Sequence, residues 1–229
     1  MNSSVCLVIV LLFASCIVAQ AADDKPTAEE QKAIAAAKQL KAKAAIDTTL
    51  HADARVAVKF DTANDAAFAA LAKHPEIGAI QSLDGTACTA KGFTAIHALP
   101  HLQRLMLNKS GVTDKELAAI VGCKDLRELV IPESTVTDAG LVEIEKLPRL
   151  VALDLSDAVK VTDKGMAHII KLERLEVLHL NKTSITDKGL LELKPLEGLR
   201  SLSVGGTKVT QAAAEKFPDE MPNLRVVRR

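Results

Sequence analysis

Asp154, His179 and Ser203 are the residue types of a hydrolytic triad, and they stand 25 and then 24 residues apart. In such a triad a carboxylate orients an imidazole, the imidazole takes the hydroxyl proton, and the serine oxygen attacks a carbonyl. All three occupy one position of a repeated phrase, which reads VTDAGLVEIEKLPRLVALDL from residue 136, VTDKGMAHIIKLERLEVLHL from 161 and ITDKGLLELKPLEGLRSLSV from 185. Each lies between two apolar residues of a short alternating stretch, so on a strand it points outward. Parallel strands lie about 4.8 Å apart, which would set the three side by side. A nucleophile also needs donors for the developing oxyanion and an exposed, strained perch, and a flat strand offers neither. The row therefore reads as a solvated polar part of a ligand-facing surface, with hydrolysis as the minor alternative. No phosphate loop, HExxH, CxxC or Gly-x-Ser-x-Gly is present, and the six His residues are scattered. No cofactor and no metal is expected, and the chain reads as a non-enzyme.

The elements that position this row follow from the period. The first leucine of each unit recurs at Leu102, Leu126, Leu150, Leu175, Leu199 and Leu224. Self-similarity at such a period marks a solenoid, in which no unit buries its apolar side alone and neighbours must stack. Each unit opens with a short alternating strand. A loop follows, then Thr-Asp and apolar positions spaced for one face of a helix, as at Leu190, Leu193 and Leu196. Thr113, Thr137, Thr162 and Thr186 are suited to cap these helices, with the next Asp complementing the helix dipole. Thr113 to Glu116 completes a capping box. A calcium ladder on these Asp residues lacks the neighbouring oxygen ligands it would need. Leu155 to Val161 carries one extra residue, so that loop should bulge.

The pattern L-x-x-L-x-L-x-x-T-x-V-T-D-x-G-L-x-x-I-x-x-L-P-x resembles the leucine-rich repeat family, in its ribonuclease-inhibitor-like 24-residue type. It looks nearest to the short exported bacterial members. The resemblance covers the chain from about residue 53 onward and implies an α/β solenoid. That fold is a right-handed β-α superhelix with a parallel sheet on the concave face and helices on the convex face. It implies that hydroxyls at Thr86, Ser110, Ser134, Thr183 and Thr207 replace the family's Asn or Cys ladder and bond the loop backbone. It also implies that proteins are recognised through the sheet face. The candidate contacts are Arg104, Met106, Asn108, Glu128, Val130, Asp154, Ser156, His179, Asn181, Ser201 and Ser203. A ubiquitin-ligase receptor would need an F-box before the repeats, and a ribonuclease inhibitor a larger, acidic, cysteine-rich horseshoe. Neither matches.

Composition narrows the partner. Lys+Arg and Asp+Glu are both 29, and aromatics are 2% with no Trp or Tyr. The chain lacks the basic field and the stacking platforms of a nucleic-acid binder; the protein partner is what the resemblance implies, and a monomer is expected. An apolar run from Val5 to Ala14 precedes Ala19-Gln20-Ala21, a small-x-small pattern suited to cleavage after Ala21. Residues 1–21 therefore read as a signal peptide and the protein as secreted or periplasmic. The alternatives are a lipoprotein modified at Cys16 and an uncleaved anchor. Residues 22–53 read as an Ala/Lys-rich helix and linker, loosely packed or stalk-like. Residues 54–229 read as the repeat domain of about seven units with degenerate caps. A structural envelope component is the alternative to a binding protein. Cys88 and Cys123 fall at positions that other units fill with Val or Leu, and read as unpaired buried thiols.

Overall fold

The computed structural model describes residues 25–221 and 223–227. The cleavage site after Ala21 and the candidate lipid site at Cys16 lie outside them. Nine strands form one sheet in chain order: β1 (Lys43–Ile46), β2 (Val56–Asn64), β3 (Ile77–Ala87), β4 (Arg104–Leu107), β5 (Glu128–Val130), β6 (Ala152–Asp154), β7 (Val177–His179), β8 (Ser201–Ser203) and β9 (Arg225–Val227). β1 runs antiparallel to β2, and every later neighbour is parallel. This is the solenoid that the period demands. The inward leucines Leu105, Leu129, Leu153, Leu178 and Leu202 are at most 1% exposed and form a continuous aliphatic core.

Helices return the chain between parallel strands: α2 (Asp65–Leu71), α3 (Ala90–Ala95), α4 (Asp114–Ile120), α5 (Asp163–Ile169), α6 (Asp187–Glu192) and α7 (Gln211–Glu220), after an N-terminal α1 (Ala28–Gln39). Thr113, Thr162 and Thr186 cap α4, α5 and α6, each hydroxyl accepting from the backbone N–H two residues on. Thr137 does not cap an α-helix. Its unit turns through a 3₁₀ segment, Gly140–Lys146. Two β-branched residues, Val142 and Ile144, sit inside that segment, where they lower the preference for α-helix.

The Asp of the repeated phrase does more than complement a dipole. Asp163 accepts from both the backbone N–H and the hydroxyl of Thr186 in the next unit, each at 2.7 Å. The same double contact joins Asp65 to Thr89, Asp114 to Thr137, Asp138 to Thr162 and Asp187 to Thr210. Four of the five carboxylates thus fasten a helix cap, and Asp114 holds Thr137 ahead of the 3₁₀ turn. In four of these five contacts the residue three after the Thr is a glycine that makes room for the carboxylate, and a Cβ at Gly189 would sit 2.3 Å from Asp163 Oδ1; after Thr210 the position is Ala213. Gly92, Gly140 and Gly165 meet Asp65, Asp114 and Asp138 likewise. Where the upstream residue is Ala90 instead of Asp, the glycine is replaced by Glu116, whose carboxylate accepts the Thr113 N–H itself.

The ends depart from the simple reading. The loose or stalk-like helix anticipated before the repeats is a packed cap: Ala33 and Ala37 are fully buried, and Glu30 forms an ion pair with Arg55 at 2.8 Å. The segment expected to be linker contains β1, which covers the edge of β2. The uneven spacing of Ile77, Ile80 and Leu83 does mark a bulge, since the pairing with β2 skips a residue at Gly78. That bulge leaves Leu83 42% exposed and turns Ser82 inward in its place. In the loop after Leu155, which carries the extra residue, Val159 is exposed. Asp157 there has φ of +64°, and Lys109, Glu133 and Lys182 are likewise at positive φ at the matching turn of other units. The hydroxyl ladder is partial. Thr183 and Thr207 donate to the carbonyls of Leu180 and Val204, whereas Ser110 and Ser134 find no partner among the described residues. Cys88 and Cys123 are buried and unpaired.

Candidate functional site

The outward residues of β4 to β8 form rows across the sheet. Arg104, Glu128, Ala152, Val177 and Ser201 are in register, and so are Met106, Val130, Asp154, His179 and Ser203. Just past the strand ends, Asn181 donates to Ser156 Oγ at 3.2 Å and accepts from Ser203 Oγ at 2.6 Å and from Gly205 N–H at 2.8 Å. One amide side chain thus ties three successive units together.

These rows are not uniformly solvated. Val130, Asp154, Ser156, His179 and Asn181 are all under 9% exposed, which overturns the expectation of a water-facing polar row at the centre. The accessible part of the face lies around that sunken patch, at Met106, Asn108, Ser201 and Ser203, which are half-buried. Arg104 is tied down by its neighbours. It donates to Asp47 at 2.7 Å, to Thr49 at 2.9 Å and to Glu128 at 3.1 Å, strapping the loop after β1 across the first strands. Burial pushes the Glu128 carboxyl above its ordinary range, and the Arg104 charge opposes that rise.

The sheet does bring Asp154, His179 and Ser203 into one row, but it does not join them as a triad. His179 Nδ1 stands 3.8 Å from Asp154 Oδ2 and has no hydrogen-bond partner among the described residues. Asp154 spends its other oxygen on the Ser156 N–H at 2.8 Å. As placed, Ser203 Oγ donates to Asn181 Oδ1, and the Asp154 carboxylate lies beyond hydrogen-bond reach of the imidazole.

Sequence reasoning missed the flank where the chain enters the strands. Immediately before the first leucine of successive units stand His101, Asp125, Arg149 and Arg174. Asp125 accepts from His101 Nδ1 at 2.9 Å and pairs with Arg149. Its carboxyl is held below the ordinary range, chiefly by the His101 hydrogen bond. The His51 ring stacks on His101 with centroids 4.5 Å apart and planes 12° from parallel. A signal was available, since charged or imidazole side chains repeat at one register position. His51, Asp53 and His101 bring ligand atoms within 4.8 Å of one another, the only such trio among the described residues. Near-parallel rings do not aim their in-plane lone pairs at a common ion, and three arginines line the recess beside His51. The trio is a poor cation site.

Comparison with known proteins agrees with the geometry. The family model described as "Leucine Rich repeat" matches residues 174–194. Among solved structures, internalin C2 from Listeria monocytogenes is similar at 17% identity with a TM-score of 0.53, over 70% of this chain and 65% of that one. The chain thus spans a little under two thirds of that protein. No curated protein matches. The fold is a leucine-rich repeat solenoid. No helix among the described residues is long and apolar enough to cross a membrane.

Proposed function

We propose that this chain is an exported, non-catalytic binding module that takes a protein partner on the concave face of its sheet. The observation that carries the reading is the register of that face: half-buried Met106, Asn108, Ser201 and Ser203 surround a sunken, internally bonded polar patch. A patch tied together through Asn181, Ser156 and Ser203 gives shape and rigidity, and the residues around it give contacts, so little ordering is needed on binding. Leucine-rich repeat proteins commonly bind proteins, which supports the same partner class. Units of 24 or 25 residues with a helix in most of them support the ribonuclease-inhibitor-like type. Export rests on the apolar run and the small-x-small pattern before residue 22. Aromatic anchors are few, so the expected binding is weak or transient.

Photo-crosslinking from position 106 or 203 in the native host, with the partner sites mapped by mass spectrometry, tests the reading. One partner should be captured from both positions and lost in Met106→Glu, while Val142→Glu on the opposite side retains it. Crosslinks that favour the convex helices, or none from either position, would replace this reading with that of a structural component. N-terminal sequencing of the exported protein should begin at Ala22. A lipid on Cys16 or an intact Met1 would change the form of export.

A further inference from the structure

The flank that carries His101 and Asp125 also holds a recess of about 370 Å³, lined by His51, Arg127, Arg149, Val151 and Arg174. Arg127, Val151 and Arg174 precede the three adjacent strands β5, β6 and β7, so guanidinium groups flank the half-buried Val151. The chain is electrically balanced overall, with 29 basic and 29 acidic residues, so this concentration of cations is local.

Three acidic groups of this flank are engaged, while Asp53 lies 3.5 Å from His51 Nδ1 and stays largely exposed. Asp125 is shared between His101 and Arg149, Glu128 pairs with Arg104, and Glu176 pairs with Arg200 at 3.3 Å. Arg127 and Arg174 make no ion pair and no side-chain hydrogen bond among the described residues, although Glu128 feels the Arg127 charge. Val151 provides an apolar floor, which strengthens the field of the cations above it. The stacked His51 ring closes the N-terminal side.

We infer that this recess binds a phosphate or sulfate group, free or carried as an ester on a larger molecule. One bidentate guanidinium already occupies both oxygens of a carboxylate, whereas a tetrahedral oxyanion has further oxygens for a second and third arginine. The site is separate from the sheet face proposed above, and the two stand or fall independently.

Calorimetric titration of the whole chain at constant ionic strength tests it, with inorganic phosphate, inorganic sulfate, glucose 6-phosphate and glucosamine 6-sulfate as probes and acetate as the control. One equivalent of at least one tetrahedral oxyanion should bind, more tightly than acetate. Binding by the esters alone would assign the site to an esterified ligand, and equal binding by the inorganic ions to the free anion. Arg127→Gln and Arg174→Gln should each weaken binding about tenfold, the loss of one charge-assisted contact. Arg174→Lys should weaken it less, and Lys109→Gln and Met106→Glu should leave it unchanged. Both arginines are exposed, so the melting temperatures of their variants report whether folding is intact. The assignment is overturned if acetate binds as well as phosphate and sulfate, if no probe binds, or if Arg127→Gln/Arg174→Gln binds like the parent.

Discussion

Asp163 does two jobs that are visible only when neighbouring units are stacked: it fastens the Thr186 cap and it sets the size of residue 189. Two hydrogen bonds to a charged acceptor make Asp163→Ala expected to cost about 2–3 kcal/mol in chemical denaturation. Asp163→Asn keeps one acceptor oxygen and should cost less. Gly189→Ala should cost about 1–3 kcal/mol, because the new methyl must displace the carboxylate. Asp163→Ala/Gly189→Ala should then cost less than the sum of the single changes, since removing the carboxylate opens the space. Simple additivity would show that the glycine answers to something other than the aspartate. Asp65 makes the matching contact with Thr89. Burial opposes its ionisation, but the Thr89 hydroxyl and N–H outweigh burial and hold the carboxyl below the ordinary range. A depressed folded-state pKa gives stability that is present above about pH 4, the unfolded value, and lost as pH falls through the folded value. The melting temperature of Thr89→Val should therefore fall less steeply on acidification than that of the parent, and an unchanged slope would contradict this. The Thr-Asp-x-Gly phrase was legible as a cap motif. Its role between units was not, because it depends on a carboxylate one period away.

At the scale of elements, the periodic middle of the chain could be read directly, since each unit repeats the same strand, turn and helix signals. The departures come from packing that a periodic pattern does not encode. The stripe on α1 looked narrow because its contacts are alanines, yet Ala33 and Ala37 are fully buried and Glu30 is only 4% exposed. Arg55 holds the Glu30 carboxyl below the ordinary range by a direct hydrogen bond, against the effect of burial. Glu30→Ala should cost on the order of 2 kcal/mol, because it removes the capping-box acceptor and breaks a largely buried pair together. A loss no larger than that of an exposed helix substitution would restore the stalk. The burial of Val130, Asp154 and His179 was equally hidden, since neighbours from adjacent units cover a strand residue that alternation alone places at the surface. Cys88 and Cys123 followed the apolar pattern and are buried. Burial pushes both thiols up to about 12. Neither should react with iodoacetamide at pH 8 in the folded protein, and both should react once it is denatured.

Across the whole molecule, one core runs through every unit and one sheet joins β1 to β9, so stability passes from neighbour to neighbour. Such an array is sensitive at its ends, where a strand edge and an unstacked core must be closed. At the N-terminus this is done by reversing direction: β1 is only four residues long, antiparallel and led by exposed Lys43, which makes it a poor template for further pairing. Behind it, β2 is nine residues long and carries Val56, Val58 and Phe60, each no more than 2% exposed. Removing residues 25–53 would uncover the long edge of β2 and the apolar surface beneath α1 in the same step. The intact chain should sediment as a monomer and unfold in a single transition. The truncated chain should either self-associate through the β2 edge or lose the first units before the rest. Sedimentation velocity and amide exchange at β2 and β3 distinguish these two outcomes. If the truncated chain stays monomeric, with unchanged melting temperature and unchanged exchange at β2, then α1 and β1 are appendages and the repeats close their own end.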